Sequence, residues 1–577
     1  MVTMLRLFGF ILSSLGWWEM IRKRSDVNIY FIPSLTVAVQ VVFLFLSGLL
    51  NLLREGAAVL FLLGLLFLLV SAFENKRFSV SFLRNYYDPG FLYLGVISVA
   101  MGFFLKGRIF THQDNFSHWA LVVKTMLMNN RFPTFMDPLI KYQEYPLGSS
   151  AFIYYFAKII APSESVQMLG QVYMMLVCIL PLFAFLKKNK ISGFLIILSA
   201  TNFFLTYNIA VTDLLVDSLL PLVGICGILF TVMCCEKEDD VLSLIFAACY
   251  AVQMVQIKNS GLFFAVPLCI WILFHRRKRN IYVWLASVAA PLFSVMLWHK
   301  HCDYVFKSAE KSRHALTLSN FKEEFFQKSA EDITAIAKDM IVYSAKWKDF
   351  WAAMALLAVL GVFIAVFAKE NMDLFKKIFL ISVATYVIYQ VGMLGMYIFS
   401  MPLVEAVNLA GIARYNKTIL MVIMYMYAVL ALKTVSSLEL KRAVPLVFSH
   451  VVLPASFCLL LFLSTGKVRF VLTDTGSHSD KERLWLEAAI EEYDIPKGES
   501  YCYLIPKQDY GYMRFLSKYL LMSNSNEAVL PGEEASLDET KAKYIFVYDT
   551  GNEAAKAWIL ENYPEQADET VIVRNEE

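Results

Sequence analysis

The sequence predicts a mainly α-helical, polytopic membrane protein with about 13 to 14 membrane helices and a small C-terminal α/β domain. Three observations carry this. Of 577 residues, 58% are hydrophobic and only 18% are charged, more apolar material than a soluble core requires. The apolar residues fall in long runs separated by short basic turns, and beyond residue 466 the composition shifts to Glu, Lys and Asp.

In chain order the runs are 4–19, 28–50, 55–73, 90–108, 166–186, 191–209, 213–234, 240–257, 260–275, 281–299, 350–368, 377–399, 418–433 and 443–465. Several fall short of the roughly 20 residues that a crossing needs, so neighbouring runs could include re-entrant pieces. The first, Met4 to Trp18, lacks a small-residue cleavage signal before Arg22-Lys-Arg24. It reads as a retained span or interfacial helix, with an uncleaved signal anchor as the alternative.

The basic turns set the orientation. Arg22-Lys-Arg24, Lys76-Arg77, Lys187-Lys188 with Lys190, Arg276-Arg-Lys-Arg279, Lys369 with Lys376-Lys377, and Lys441-Arg442 agree on a single cytoplasmic side. The connections 109–165 and 300–349, the loop 400–417 and the C-terminal tail then lie outside. The small net charge of +3 matters less than this placement.

Within the first external connection, Asn115 to Asn130 reads as a helix ended by Arg131-Phe-Pro133, and Ser149 to Ile160 as a short apolar aromatic segment. The 300–349 connection has the mixed spacing of one or two amphipathic helices lying at the membrane surface. The chain therefore divides into a membrane domain, 1–466, and an external accessory domain, 467–577. That domain has apolar strands at Tyr501 to Ile505, Lys543 to Tyr548 and Thr570 to Val573, with helices at Tyr510 to Met522 and Glu553 to Tyr563. Of nine cysteines most lie in apolar runs without metal-ligand spacing; Cys302 and Cys502 fall in polar stretches and could pair if they meet.

The stretch Thr111-His-Gln-Asp-Asn-Phe-Ser-His-Trp119 places ionisable groups just past a membrane exit. Asp114 and His118 are four apart and would share a helix face, where a carboxylate can take a proton from a hydroxyl and an imidazole can relay it. A wetted helix start, with Asp114 at its N-terminus and Trp119 at the interface, explains the same residues. Glu144 precedes Tyr145-Pro146, whose proline restricts the backbone and could aim the carboxylate at the site, although a surface turn explains it equally. No cofactor is demanded by the pattern; His112, Asp114, His118 and Glu144 could hold a divalent cation, but their spacing identifies no metal.

More charges recur at external helix ends. Asp213 and Asp217 stand one turn apart, Lys258 lies in Gln256-Ile-Lys-Asn-Ser-Gly261, and Arg414 lies in Asn408-Leu-Ala-Gly-Ile-Ala-Arg-Tyr415. Carboxylates there could simply face water and cations snorkel. Gathered on one face, they could position a sugar and neutralise a lipid phosphate.

Asp114-Asn-Phe-Ser-His-Trp119, Phe132-Pro133, Glu144-Tyr-Pro-Leu-Gly148, Lys258-Asn-Ser-Gly261, and Glu405 followed by Leu409-Ala-Gly-Ile-Ala-Arg-Tyr415 occur in that order over roughly residues 90–465. In these landmarks the chain resembles bacterial GT-C-type integral membrane glycosyltransferases that use a polyprenyl-phosphate sugar donor. Where familiar relatives often carry Tyr-Pro-Pro-Gly, this chain has Tyr145-Pro-Leu-Gly148. The resemblance implies a GT-C-like fold in the bacterial cell membrane, Asp114 as general base at the acceptor, and Tyr145-Pro146 on the first-loop substrate surface beside His112, His118 and Glu144. It further implies Lys258 and Arg414 at the donor phosphate and inversion at the anomeric carbon, with Asp213, Asp217 and Glu405 as further substrate contacts.

The partners so implied are the polyprenyl-phosphate sugar, a surface glycan, teichoic acid or other hydroxyl acceptor, and membrane lipid. The basic residues form no nucleic-acid footprint. A transporter or flippase of lipid-linked sugars competes with the enzyme, because charges near spans can also line a translocation path. A noncatalytic polysaccharide-assembly scaffold is the third reading.

Overall fold

The computed structural model describes residues 2–73, 81–137, 142–235, 241–274, 281–306, 318–473, 480–505, 509, 511–530, 532–548 and 551–574. The chain is mainly helical, at 76%, with a small sheet confined to its C-terminal end. Among the described residues, eight helices are long and apolar enough to cross a membrane, and Pro89–Leu105, Lys190–Thr206, Leu219–Cys234, Val241–Ile257 and Asn259–Phe274 are shorter apolar helices. Val2–Arg24 is helical over the first expected run but falls outside both sets.

Burial separates centre from rim. Ile412–Ser437 is the most enclosed of the eight, while Ile281–Val305 and Lys369–Phe399 leave most of their apolar stretch uncovered. Leu380, Val391, Leu292 and Phe293 on those two helices are all more than half exposed. Such surfaces are unfavourable in water and ordinary in hydrocarbon, where the helix already satisfies its backbone groups. The chain is a multi-pass helical membrane protein.

The bundle has two chemically different ends. At one, Tyr30 Oη donates to Asp88 (2.8 Å), Lys187 N to Ser436 Oγ (3.0 Å), Asn189 Nδ2 to the Leu438 carbonyl (2.9 Å) and Asn371 Nδ2 to Ser437 Oγ (2.8 Å). Tyr30 also packs on Phe183. These contacts assemble the basic turns near 22–24, 187–190, 369 and 441–442. Lys76-Arg77 and Arg276–Arg279 lie outside the described residues. From Ser437 the helix Ile412–Ser437 climbs to Arg414 at the other end, about 35 Å away at 1.5 Å per residue.

That other end carries the connections. Asn115–Trp119 is a π-turn running into Ala120–Asn129, which stops where Asn130 turns left-handed, and Gly148–Ile159 is a short buried helix. The 300–349 connection forms two helices, Leu318–Phe326 and Ala330–Lys346, the second opened by a capping box between Ser329 and Asp332.

The C-terminal sheet consists of β1 (Tyr501–Leu504), β2 (Asn526–Val529), β3 (Tyr544–Val547) and β4 (Val571–Val573) in the order β2-β1-β3-β4. β1 is parallel to β2 and β3, and β4 is antiparallel to β3. Strand alternation splits its faces: Tyr501, Tyr503 and Phe546 join the large core continuous with the membrane bundle, whereas Cys502, Leu504 and Ile545 form a small core of their own with Ile559. Two elements differ from expectation. β2 is a polar edge strand without apolar alternation, and Lys481–Glu492 forms a helix in a charged stretch where none was expected. Cys302 and Cys502 do not pair: both are free and buried, with the Cys302 thiol against the Gln143 carbonyl.

Candidate functional site

Two landmark cations, Lys258 and Arg414, converge on Asp217, and Arg414 extends the cluster to Asp114. The loop that carries it separates Lys190–Thr206 from Leu219–Cys234 and is not helical, so Asp213 and Asp217 do not form the expected one-turn pair and have different tasks. The Asp213 carboxylate accepts Asn115 Nδ2 (3.0 Å), and Asn115 Oδ1 accepts Leu214 N (3.0 Å). Asp213 thus ties the loop to the residue after Asp114.

Asp217, nearly enclosed, accepts Lys258 Nζ at 2.9 Å and faces Arg414 Nε at 3.6 Å. Burial raises its pKa, but Lys258 and Arg414 together outweigh burial and hold it below the usual carboxylate value. The other side of the same guanidinium, Nη1, lies 3.1 Å from Asp114 Oδ2. Asn208 Nδ2 and Thr418 Oγ1 each donate to the Asp217 and Arg414 carbonyls, fixing the two backbones together.

Lys258 is held by a tight turn. Gly261 N donates to the Lys258 carbonyl at 2.8 Å, and a Cβ on Gly261 would stand 1.9 Å from the Met254 carbonyl oxygen, so no side chain fits there. Gly148 makes the matching approach from the Glu144 turn, where a Cβ would lie 2.7 Å from Gln256 Cβ. The two landmark motifs therefore meet through glycine.

An aromatic wall adjoins the cations. The Tyr415 ring lies 5.3 Å from Lys258 Nζ and 5.6 Å from the Arg414 guanidinium, and Tyr142 stacks on Tyr145 at 4.8 Å. Burial, then the fields of Asp114 and Glu405, push the Tyr142 hydroxyl above its usual pKa. Sequence reasoning missed Tyr142 and Tyr415. Their only signal was adjacency to Arg414 and the i, i+3 spacing to Tyr145.

His118 departs from its expected role. It is fully buried among the rings of Trp119, Tyr142 and Tyr145, and neither ring nitrogen has a hydrogen-bond partner among the described residues. Burial, reinforced by Lys258, pushes its pKa down to about 3, so it is neutral at pH 7. No hydrogen bond joins it to Asp114, because the π-turn breaks the α-helical register that would stack them. His112 instead accepts the Asp114 backbone N–H on Nδ1 (3.0 Å).

Glu144 is anchored through its carbonyl to Trp298 Nε1 (2.8 Å), and the Glu405 carbonyl accepts Ala410 N (2.9 Å), closing the loop before Arg414. Among the described residues no three His, Cys, Asp or Glu gather as metal ligands. His112, Asp114, His118 and Glu144 do not form a common ligand set.

No known protein family, curated protein or solved structure matches this chain. Asp114 and Arg414 are each about one-third exposed (34% and 33%), whereas the Asp217 side chain is 5% exposed. Asp217 is thus the more enclosed counter-ion of Lys258 and Arg414, and Asp114 the more accessible carboxylate on Arg414.

Proposed function

We propose that this chain transfers a sugar from a polyprenyl-phosphate donor to the hydroxyl of a cell-surface glycan, teichoic acid or related acceptor. The fold in this reading is GT-C-like, with the shorter apolar helices completing about 13 to 14 crossings. Basic turns at the opposite end of the bundle favour an extracytoplasmic site in a bacterial cell membrane under the positive-inside rule.

The observation that carries the reading is the Arg414 bridge between a buried carboxylate and a partly exposed one. A donor phosphate that displaces Asp114 from Arg414 gains a guanidinium already oriented by Asp217, with Lys258 beside it. The same exchange releases Asp114. Asp114 takes the proton of the acceptor hydroxyl, whose oxygen bonds to the anomeric carbon as the bond to the polyprenyl phosphate breaks with inversion. The leaving phosphate keeps the electron pair, and Arg414 and Lys258 stabilise its charge. Tyr142, Tyr145 and Tyr415 supply ring faces for the sugar. No divalent cation is needed in this scheme.

Proteoliposomes given radiolabelled polyprenyl-phosphate hexoses and a cell-surface glycan fraction test it. Label is expected to become covalently attached to the glycan. Label that crosses the bilayer without transfer would favour the flippase, and activity only with soluble nucleotide sugars would overturn the donor assignment.

A further inference from the structure

The helices of the C-terminal domain hold the segment that carries Asp114. Arg483, on Lys481–Glu492, is 3% exposed and donates to both oxygens of Glu164 (2.9 and 2.8 Å) and to the Phe110 carbonyl (2.7 Å). Glu164 also accepts the Phe110 N–H (2.7 Å) and the Tyr519 hydroxyl (2.7 Å). Both backbone polar groups of Phe110, four residues before Asp114, therefore end on this one ion pair.

Two further contacts bracket Asp114. Tyr512 Oη donates to the Thr111 carbonyl (3.0 Å), and the Phe116 ring lies 5.9 Å from Tyr512 and 5.3 Å from Tyr519. The C-terminal domain thus fixes residues 110, 111 and 116, while the Asp114 carboxylate reaches away from it to Arg414. One domain sets the backbone and the other receives the side chain.

We infer that Arg483 is a positioning residue: through Glu164 and Phe110, the C-terminal domain sets the reach of Asp114 and so the rate of the transfer step. The catalytic part of this inference rests on the proposed glycosyl transfer; the mechanical part does not. A displacement of about 1 Å in a reacting group can cost on the order of 10²-fold in rate. The consequence is a loss in kcat and not in donor affinity, because Lys258, Arg414 and Asp217 sit on the membrane bundle.

The test uses the full chain carrying Arg483→Ala, Arg483→Lys or Tyr512→Phe, the last removing only a hydroxyl, with the exposed Lys556→Ala as control. Hydrogen exchange is followed on the amides of 110–119 and of Ile412–Ser437, and kcat and KM are measured with radiolabelled polyprenyl-phosphate hexose. Arg483→Ala and Tyr512→Phe are expected to speed exchange across 110–119 while leaving Ile412–Ser437 unchanged. They should lower kcat, by about 10²-fold for Arg483→Ala, at nearly constant KM, with partial rescue by Arg483→Lys and no effect of Lys556→Ala. Unchanged exchange at 110–119 overturns the latch, and faster exchange with unchanged kcat overturns its positioning role. If the wild type turns over no hexose donor, glycosyl transfer fails and the exchange data alone decide the latch.

Discussion

Asp114 Oδ2 and Arg414 Nη1 lie 3.1 Å apart although 300 residues separate them in the chain. The same arginine faces Asp217 at 3.6 Å through Nε, a two-sided use that needs the flat fork of a guanidinium. Arg414→Lys keeps the charge but can serve only one carboxylate at a time. Its kcat in the reconstituted transfer assay is expected to fall about 10²-fold, and a lysine variant with full turnover would show that the bridge is dispensable.

Lys258 and Asp217 form a buried pair, at 12% and 5% side-chain exposure. Asp217 also faces Arg414, so Lys258→Met removes one of its two cations and is expected to cost about 1.5–3 kcal/mol, the range for a hydrogen bond to a charged group. Replacing both, as Lys258→Met with Asp217→Leu, takes the enclosed carboxylate from Arg414 as well and is expected to deepen the loss. The heat-unfolding midpoint in detergent reads both effects. A single variant as stable as wild type would mean that the pair is hydrated.

His118 gives a pH dependence of defined sign. An unfolded histidine binds its proton below about 6.5, whereas the buried ring does so only near 3. Between those values the unfolded state holds more protons, so stability falls as pH falls, by up to about 1.4 kcal/mol per unit. Asp217, whose folded pKa is depressed, adds a further loss only in more acid solution, as pH falls through that lowered value. His118→Phe, which keeps a ring in the aromatic cage, should flatten the slope between pH 6.5 and pH 3. An unaltered slope would place the titration elsewhere.

Orientation is open to direct labelling. Lys556, exposed on the C-terminal domain, and Lys188, exposed in a basic turn, belong to opposite ends of the bundle. With a membrane-impermeant maleimide, Lys556→Cys is expected to react in intact cells and Lys188→Cys only after permeabilisation. The reverse pattern would put the cluster in the cytoplasm, where the lipid-linked donor scheme fails.

The bundle, the two helices of the 300–349 connection and three of the four strands were legible because apolar period and turn residues report local structure. β2 was not, since Asn526–Val529 is an edge strand whose exposed residues carry no alternation. At the site, sequence order brought Asp114, Lys258 and Arg414 to attention as charges at helix ends. It could not reveal that Asp217 joins them while Asp213 serves Asn115, because that depends on a non-helical loop. The His118 expectation failed for a local reason: the π-turn Asn115–Trp119 inserts a residue into the register on which i, i+4 reasoning depends. Arg483 carries no sequence signal, being one arginine in a charged helix until Glu164 and Phe110 are seen beside it.

In the proposed transfer, Asp114 removes the acceptor proton once the donor has taken its place on Arg414. Asp114→Asn keeps the shape and cannot accept that proton, so the decisive measurement is its turnover of radiolabelled polyprenyl-phosphate hexose, with heat unfolding confirming an intact fold. A fall of about 10²- to 10⁴-fold, the range a positioned general base supplies, is the expected result. Turnover near that of the wild type in a folded Asp114→Asn protein would rule out Asp114 as the base.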